Sequence, residues 1–213
     1  MTRNPPLLIH VTVVANGRRV RAKTKKERKM GFPTVKRELN KMTKEQIVNL
    51  LEDLYKKQSA VREYLDFFSN PDQIKLLEKY KKIIDNSFFT RTGNPKIDLK
   101  SAKKAVLDFS KLGVSGEYLA ELYLHFAETG TKFTKNFGAI DEQFYNTVEE
   151  AFNEGLFISQ NEGILDKFRE KAEEIQINAQ NIGWGFSDEM ASIYWNFYAD
   201  MEDEETDNEQ TID

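Results

Sequence analysis

From residue 33 to about residue 198, apolar side chains recur at intervals of three and four. That spacing puts them on one face of a helix, because an α-helix turns once every 3.6 residues. Ile47, Leu50, Leu51 and Leu54 form one such face, and Val61, Tyr64, Leu65 and Phe68 form the next. Ile74, Leu77, Tyr80 and Ile84 follow, then Ala102, Ala105, Val106 and Phe109. The pattern returns at Tyr118, Leu119, Leu122 and Phe126, at Phe144, Val148, Phe152 and Leu156, and at Ile164, Phe168, Ala172 and Ile175. A chain patterned in this way buries its stripes by packing helix on helix.

Polar punctuation separates the stripes. Thr43 and Gln46 have the spacing of a capping box, in which each side chain satisfies a free backbone N–H of the other. Asn70 is expected to cap the helix that follows, with Pro71 at its first position, where a missing N–H costs nothing. Asp98, Ser115, Asp141 and Ser187 stand as caps before later stripes, and Gly113 and Gly138 stand after two of them. The longest polar connection, residues 89–97, holds Gly93, Asn94 and Pro95 as breakers. The expected fold is therefore all-α, an irregular bundle of about eight helices. A short HEAT-like stack is the alternative, because helices pair along the chain (43–57 with 59–68, 99–112 with 116–137, 142–160 with 163–180), although no fixed repeat carries it.

Composition bounds the chemistry. With 213 residues, 39% of them hydrophobic, the chain has material for one core. It has no cysteine, which excludes disulfides, thiolate metal sites and a cysteine nucleophile, and its two histidines leave little for acid–base work. No run of about 18 uncharged apolar residues is present, so a transmembrane helix and a membrane partner are not expected. Glycine-rich phosphate loops, nucleophile elbows and zinc-protease motifs are likewise missing.

Charge is concentrated at the ends. Residues 1–29 carry nine bases against Glu27, a net of +8, and residues 200–213 carry eight acids and no base. Blocks of like charge repel themselves, so 1–29 is expected to be a disordered basic extension and 202–213 an acidic disordered tail, flanking one helical domain over 30–201. Leu7–Val14 is β-prone, and Asn16-Gly17 suits a small hairpin. Met30, just before the first helical pattern, is the expected natural start; the alternative is that residues 1–29 are a basic arm that neutralises nucleic-acid phosphates. The proline pair Pro5-Pro6 ahead of a short apolar stretch does not make a secretory signal, and a cytoplasmic setting is expected.

Three constellations bear on chemistry. Glu121, His125 and Glu128 share one helical face, with Glu117 a turn earlier, the placement that bundle metal sites use; a second helix would have to supply the rest. The alternative is a helix surface with an ordinary polar stripe. Trp184, Phe186, Tyr194 and Trp195 belong to an aromatic cluster near the C-terminus. Gly183 and Gly185 would let Trp184 present its indole to a ligand, or the cluster closes the core. Lys79, Lys82, Lys100, Lys103 and Lys104 lie in a loose basic zone over residues 79–111, which suits nucleic acid or is a solvated helix face.

Several strings carry a resemblance: Val61–Pro71 (VREYLDFFSNP), Leu76–Ile84 (LLEKYKKII), Ala105–Gly113 (AVLDFSKLG), Glu128–Thr134 (ETGTKFT), Gly138–Asn146 (GAIDEQFYN) and Ile182–Phe186 (IGWGF). On these, residues 35–199 resemble a bacterial family of small helical proteins, a domain of unknown function. The resemblance implies a helical single-domain protein. It implies no activity, cofactor or catalytic residue. The expected role is a protein–protein interaction or adaptor module acting on a protein partner, not an enzyme. Nucleic-acid association through the lysine zone comes next, and a small-ligand or metal binder around His125 third.

Overall fold

The computed structural model describes residues 31–209 apart from 91 and 139, with side chains to residue 199. The basic extension, its hairpin and Met30 lie outside the described residues, as do 210–213. Nine α-helices and one 3₁₀ turn make up the described regular structure. They are α1 (Phe32–Leu39), α2 (Lys44–Lys57), α3 (Ser59–Ser69), α4 (Gln73–Phe88), α5 (Leu99–Ser110), α6 (Gly116–Phe137), α7 (Glu142–Asn161), α8 (Arg169–Ala179) and α9 (Phe186–Glu209). The 3₁₀ turn, Leu165–Phe168, leads into α8. The all-α multi-helix bundle is as the periodicity requires.

The chain divides into two units, residues 1–52 and 53–213. In the first, α1 and the start of α2 are amphipathic but bury no side chain. Thr43 and Gln46 do form the capping box. The Gln46 N–H donates to Thr43 Oγ1 at 3.2 Å, and the Thr43 N–H donates to Gln46 Oε1 at 2.8 Å.

The second unit is organised around α6, which packs against α4, α5, α7 and α8; α9 closes against α7 and α8. Ten of its 22 residues are buried, which explains why α6 is apolar on more than one stripe. Its closest partner is α7, and two glycines set their separation. A Cβ on Gly130 would lie 2.4 Å from Val148 Cγ2, and one on Gly155 would lie 2.9 Å from Leu124 Cδ2. Gly130 therefore does more than weaken α6, because it admits the neighbouring helix. Around this seam the core is aromatic: Phe88 meets Phe126, Phe133 and Phe144 at ring separations of 5.6, 5.9 and 6.1 Å. Each fully buried ring contributes about 2–3 kcal/mol by area.

Caps are partly as expected. Asp98 and Asp141 accept from the Ser101 and Phe144 N–H groups at 3.0 and 2.8 Å. Asn70 is not the cap of α4. Its own N–H ends α3 on the Asp66 carbonyl, and Asp72 takes the cap, accepting from Lys75 N–H at 2.9 Å. Ser115 precedes α6 without a side-chain cap, its N–H donating instead to Gln73 Oε1 at 2.7 Å. Ser187 lies inside the first turn of α9, which begins at Phe186. The helical backbone of α9 runs to Glu209, through most of the acidic segment.

Candidate functional site

The polar stripe of α6 is a ladder of ion pairs and one histidine–carboxylate hydrogen bond, most of its rungs reaching to other elements. Glu121 meets Lys81 of α4 at 2.6 Å, and His125 Nε2 meets Asp85 Oδ1 of α4 at 2.7 Å. Glu128 is held by Lys132 at 2.5 Å and by Lys171 of α8 at 3.2 Å, while Glu117 pairs with Lys167 of the 3₁₀ turn. Partial burial alone would raise the Glu128 carboxyl, but Lys132 and Lys171 hold it below its usual range. Partial burial likewise opposes the Lys81 charge, and Glu121 and Glu78 more than restore it. Glu121, His125 and Glu128 thus share a face, as their spacing requires, yet each turns to a different cation or carboxylate. Among the described residues no group of three or more metal-ligating side chains converges. The stripe fastens α6 to α4 and α8.

The aromatic cluster separates in the same way. Phe186 is fully buried against Tyr145, at a ring separation of 4.9 Å, and Tyr194 is buried beside Tyr198. Trp195, half exposed, stands edge-on to Tyr194 at 5.1 Å. Only Trp184 faces solvent fully, 77% exposed. It adopts a left-handed backbone (φ 63°) between Gly183 and Gly185, a conformation that side chains other than glycine rarely hold. With Glu142, Tyr145, Asn146, Glu149 and Glu189 it lines a hollow of about 400 Å³. Burial first, then the charges of Glu189 and Glu150, push the Glu149 carboxyl above its usual range. Core closure and a surface indole are both present, on different residues.

The lysine zone is largely neutralised. Lys79 pairs with Glu63 at 2.5 Å, Lys103 with Glu150 at 3.0 Å and Lys104 with Asp108. Lys103 lines a small hollow with Leu107, Tyr123 and Glu150, and Lys100 is exposed on α5. Lys79 and Lys82 belong to a different feature, the largest hollow described, a groove of about 870 Å³ between α3 and α4. After Asn70 ends α3, the three residues Asn70-Pro71-Asp72 turn the chain so that Glu63 of α3 reaches Lys79 of α4. Phe67 and Leu76, which pack inward on the core, form the apolar part of the groove, and Arg62, Lys75 and Lys82 stand along its sides. Sequence reasoning missed Arg62, Phe67, Lys75 and Leu76. Their signal was a pair of amphipathic stripes, on α3 and α4, separated by only three residues.

The strings quoted above lie within a longer match. A family model described as a family of unknown function (DUF6155) matches residues 30–198, more than three-quarters of the chain. The chain belongs to this family. The DUF6155 match spans all of the helices except the last turns of α9, so the groove, the ion-pair ladder and the Trp184 hollow all lie inside it. No curated protein and no solved structure matches the chain. Among the described residues no helix is long and apolar enough to cross a membrane.

Proposed function

We propose that this DUF6155 protein is a protein–protein interaction module and that the groove between α3 and α4 is its docking surface. One observation carries the reading: the largest hollow described has an apolar floor anchored in the core and lysines along its sides that no carboxylate engages. Among the described residues neither Lys75 nor Lys82 has an ion-pair partner. Interface centres are built from such apolar anchors within a polar rim. Exposed apolar side chains at Tyr64, Phe68 and Ile74 on the same two helices add to the support, Phe68 being 75% and Ile74 64% exposed. In the first unit Phe32, Val35, Val48 and Leu51 are also exposed along amphipathic helices. A binding role, in a bacterial cytoplasm, completes the proposal. The cysteine-free composition suits a reducing compartment.

Photo-crosslinking in the cells that make the protein tests it. A photoreactive residue at Ser59 or Lys82, both lining the groove, is expected to mark the same partner protein. The same residue at Phe157, an exposed apolar position on α7, serves as the control. Equal marking from Phe157, or no adduct from either groove position, would end the docking reading.

A further inference from the structure

The groove has four carboxylates among its lining residues, and each is engaged within the protein. Glu63 holds Lys79 at 2.5 Å, and Asp66 accepts from the Tyr55 hydroxyl at 2.7 Å. Asp72 caps α4 on the Lys75 N–H, and Glu78 pairs with Lys81 at 3.2 Å. Of the four cations, Lys79 is taken by Glu63. Arg62 donates to the backbone carbonyls of Tyr55 and Lys56, each at 3.2 Å. Lys75 and Lys82 remain. Counting ion pairs alone, Arg62, Lys75 and Lys82 stand against Asp66 and Asp72, an excess of one positive charge, because Glu63 is paired with Lys79 and Glu78 with Lys81 outside the lining.

The spacing of those lysines says more. They are seven residues apart on α4, two helical turns, so they emerge on the same face about 10.5 Å apart along the axis. Phe67 and Leu76 supply apolar surface in the same groove. A guest helix lying along α4 repeats its own side chains at this interval. Two of its carboxylates seven positions apart would meet the lysines while apolar residues on its next stripe fill the groove.

We propose that the groove takes an acidic amphipathic helix of a partner protein, its carboxylates two turns apart against Lys75 and Lys82 and its apolar side chains on Phe67 and Leu76. The inference rests on the interaction reading and names the chemistry of the partner.

The test uses the full chain and a fluorescent synthetic peptide of roughly 18 residues, long enough to form a helix, with leucine on one face and glutamate on the others. A twin peptide replaces every glutamate with lysine. Anisotropy is expected to show binding of the glutamate peptide that weakens as salt is raised, and none of the twin. Lys75→Glu with Lys82→Glu should weaken the glutamate peptide roughly tenfold or more and admit the twin. Lys100→Glu with Lys104→Glu, on α5, should leave both as they were. All four lysines are exposed, and an unchanged melting temperature confirms that the variants fold.

Binding of both peptides alike, or of neither, would overturn the proposal, as would indifference to the Lys75/Lys82 reversal. Displacement of the glutamate peptide by duplex DNA as effectively as by unlabelled peptide would overturn it in favour of nucleic acid. A concentration-dependent dimer that the reversal abolishes would overturn it in favour of a second copy of this chain. If the peptide fails while crosslinks from Ser59 and Lys82 still mark one protein, the acidic helix falls and the docking surface stands. Failure of both removes the docking reading itself.

Discussion

At the scale of single residues, Glu149 of α7 and Tyr198 of α9 show how burial shapes the polar chemistry of the body. Burial, with Glu189 and Glu150 nearby, raises the Glu149 carboxyl above its usual range, so the folded protein holds this proton more readily than the unfolded chain. A raised carboxylate adds stability when protonated and loses it as pH climbs through the folded value. Glu149→Gln should therefore stabilise the protein at neutral pH, by less than about 1 kcal/mol because the group is only partly buried and is screened by solvent. Urea unfolding at pH 7 and pH 4 checks this; a gap of equal size at both would mean that charge is not its source. Tyr198 is fully buried, and its hydroxyl donates to the Leu165 carbonyl at 3.0 Å. Burial pushes its phenol above the usual range. Tyr198→Phe leaves that carbonyl without its donor and should cost about 1–2 kcal/mol in the same unfolding measurement. No change would show that the carbonyl finds another donor.

At the scale of elements, the α6–α7 seam makes an opposing prediction to helix propensity. Alanine favours an exposed helix over glycine by roughly 1 kcal/mol, so Gly130→Ala on an open surface would stabilise. Here the added methyl meets Val148, and about 1–3 kcal/mol of destabilisation is expected from overpacking. Adding Val148→Ala should cost less than the two single changes summed, because one substitution makes room for the other. A stabilised Gly130→Ala protein would mean that α6 and α7 pack less closely. The same pair shows what the sequence could reveal. Helices were legible because period and caps are local, as at Thr43, Asp98 and Asp141. The start of α4 misled because Asn70 and Asp72 are both capping residue types beside a proline, and the ending of α3 uses Asn70. The α6 stripe was legible as a face. Its partners Lys81, Asp85 and Lys171 lie about 40 or more positions away, so that it is a ladder, not a metal centre, depends on which helices neighbour it. The groove was hidden for the same reason: it exists only once the turn at 70–72 brings Glu63 and Phe67 of α3 near Leu76 and Lys79 of α4.

At the scale of the whole molecule, burial is unequal along the chain. The 33 residues of α1, α2 and α3 contain no buried side chain, while α4 to α9 hold the core. Segments with few buried apolar contacts open at low free energy, so amides of α1–α3 should exchange with solvent well before those of α6 and α7. Binding at the groove would reverse this locally, since a partner stabilises what it covers. Hydrogen exchange followed by mass spectrometry, on the full chain alone and with the partner marked by the Ser59 and Lys82 crosslinks, tests the account most directly. New protection concentrated within residues 59–82 is the predicted result. Protection centred instead on Glu142–Glu149 and Trp184–Glu189, or no change in α3 and α4, would contradict it.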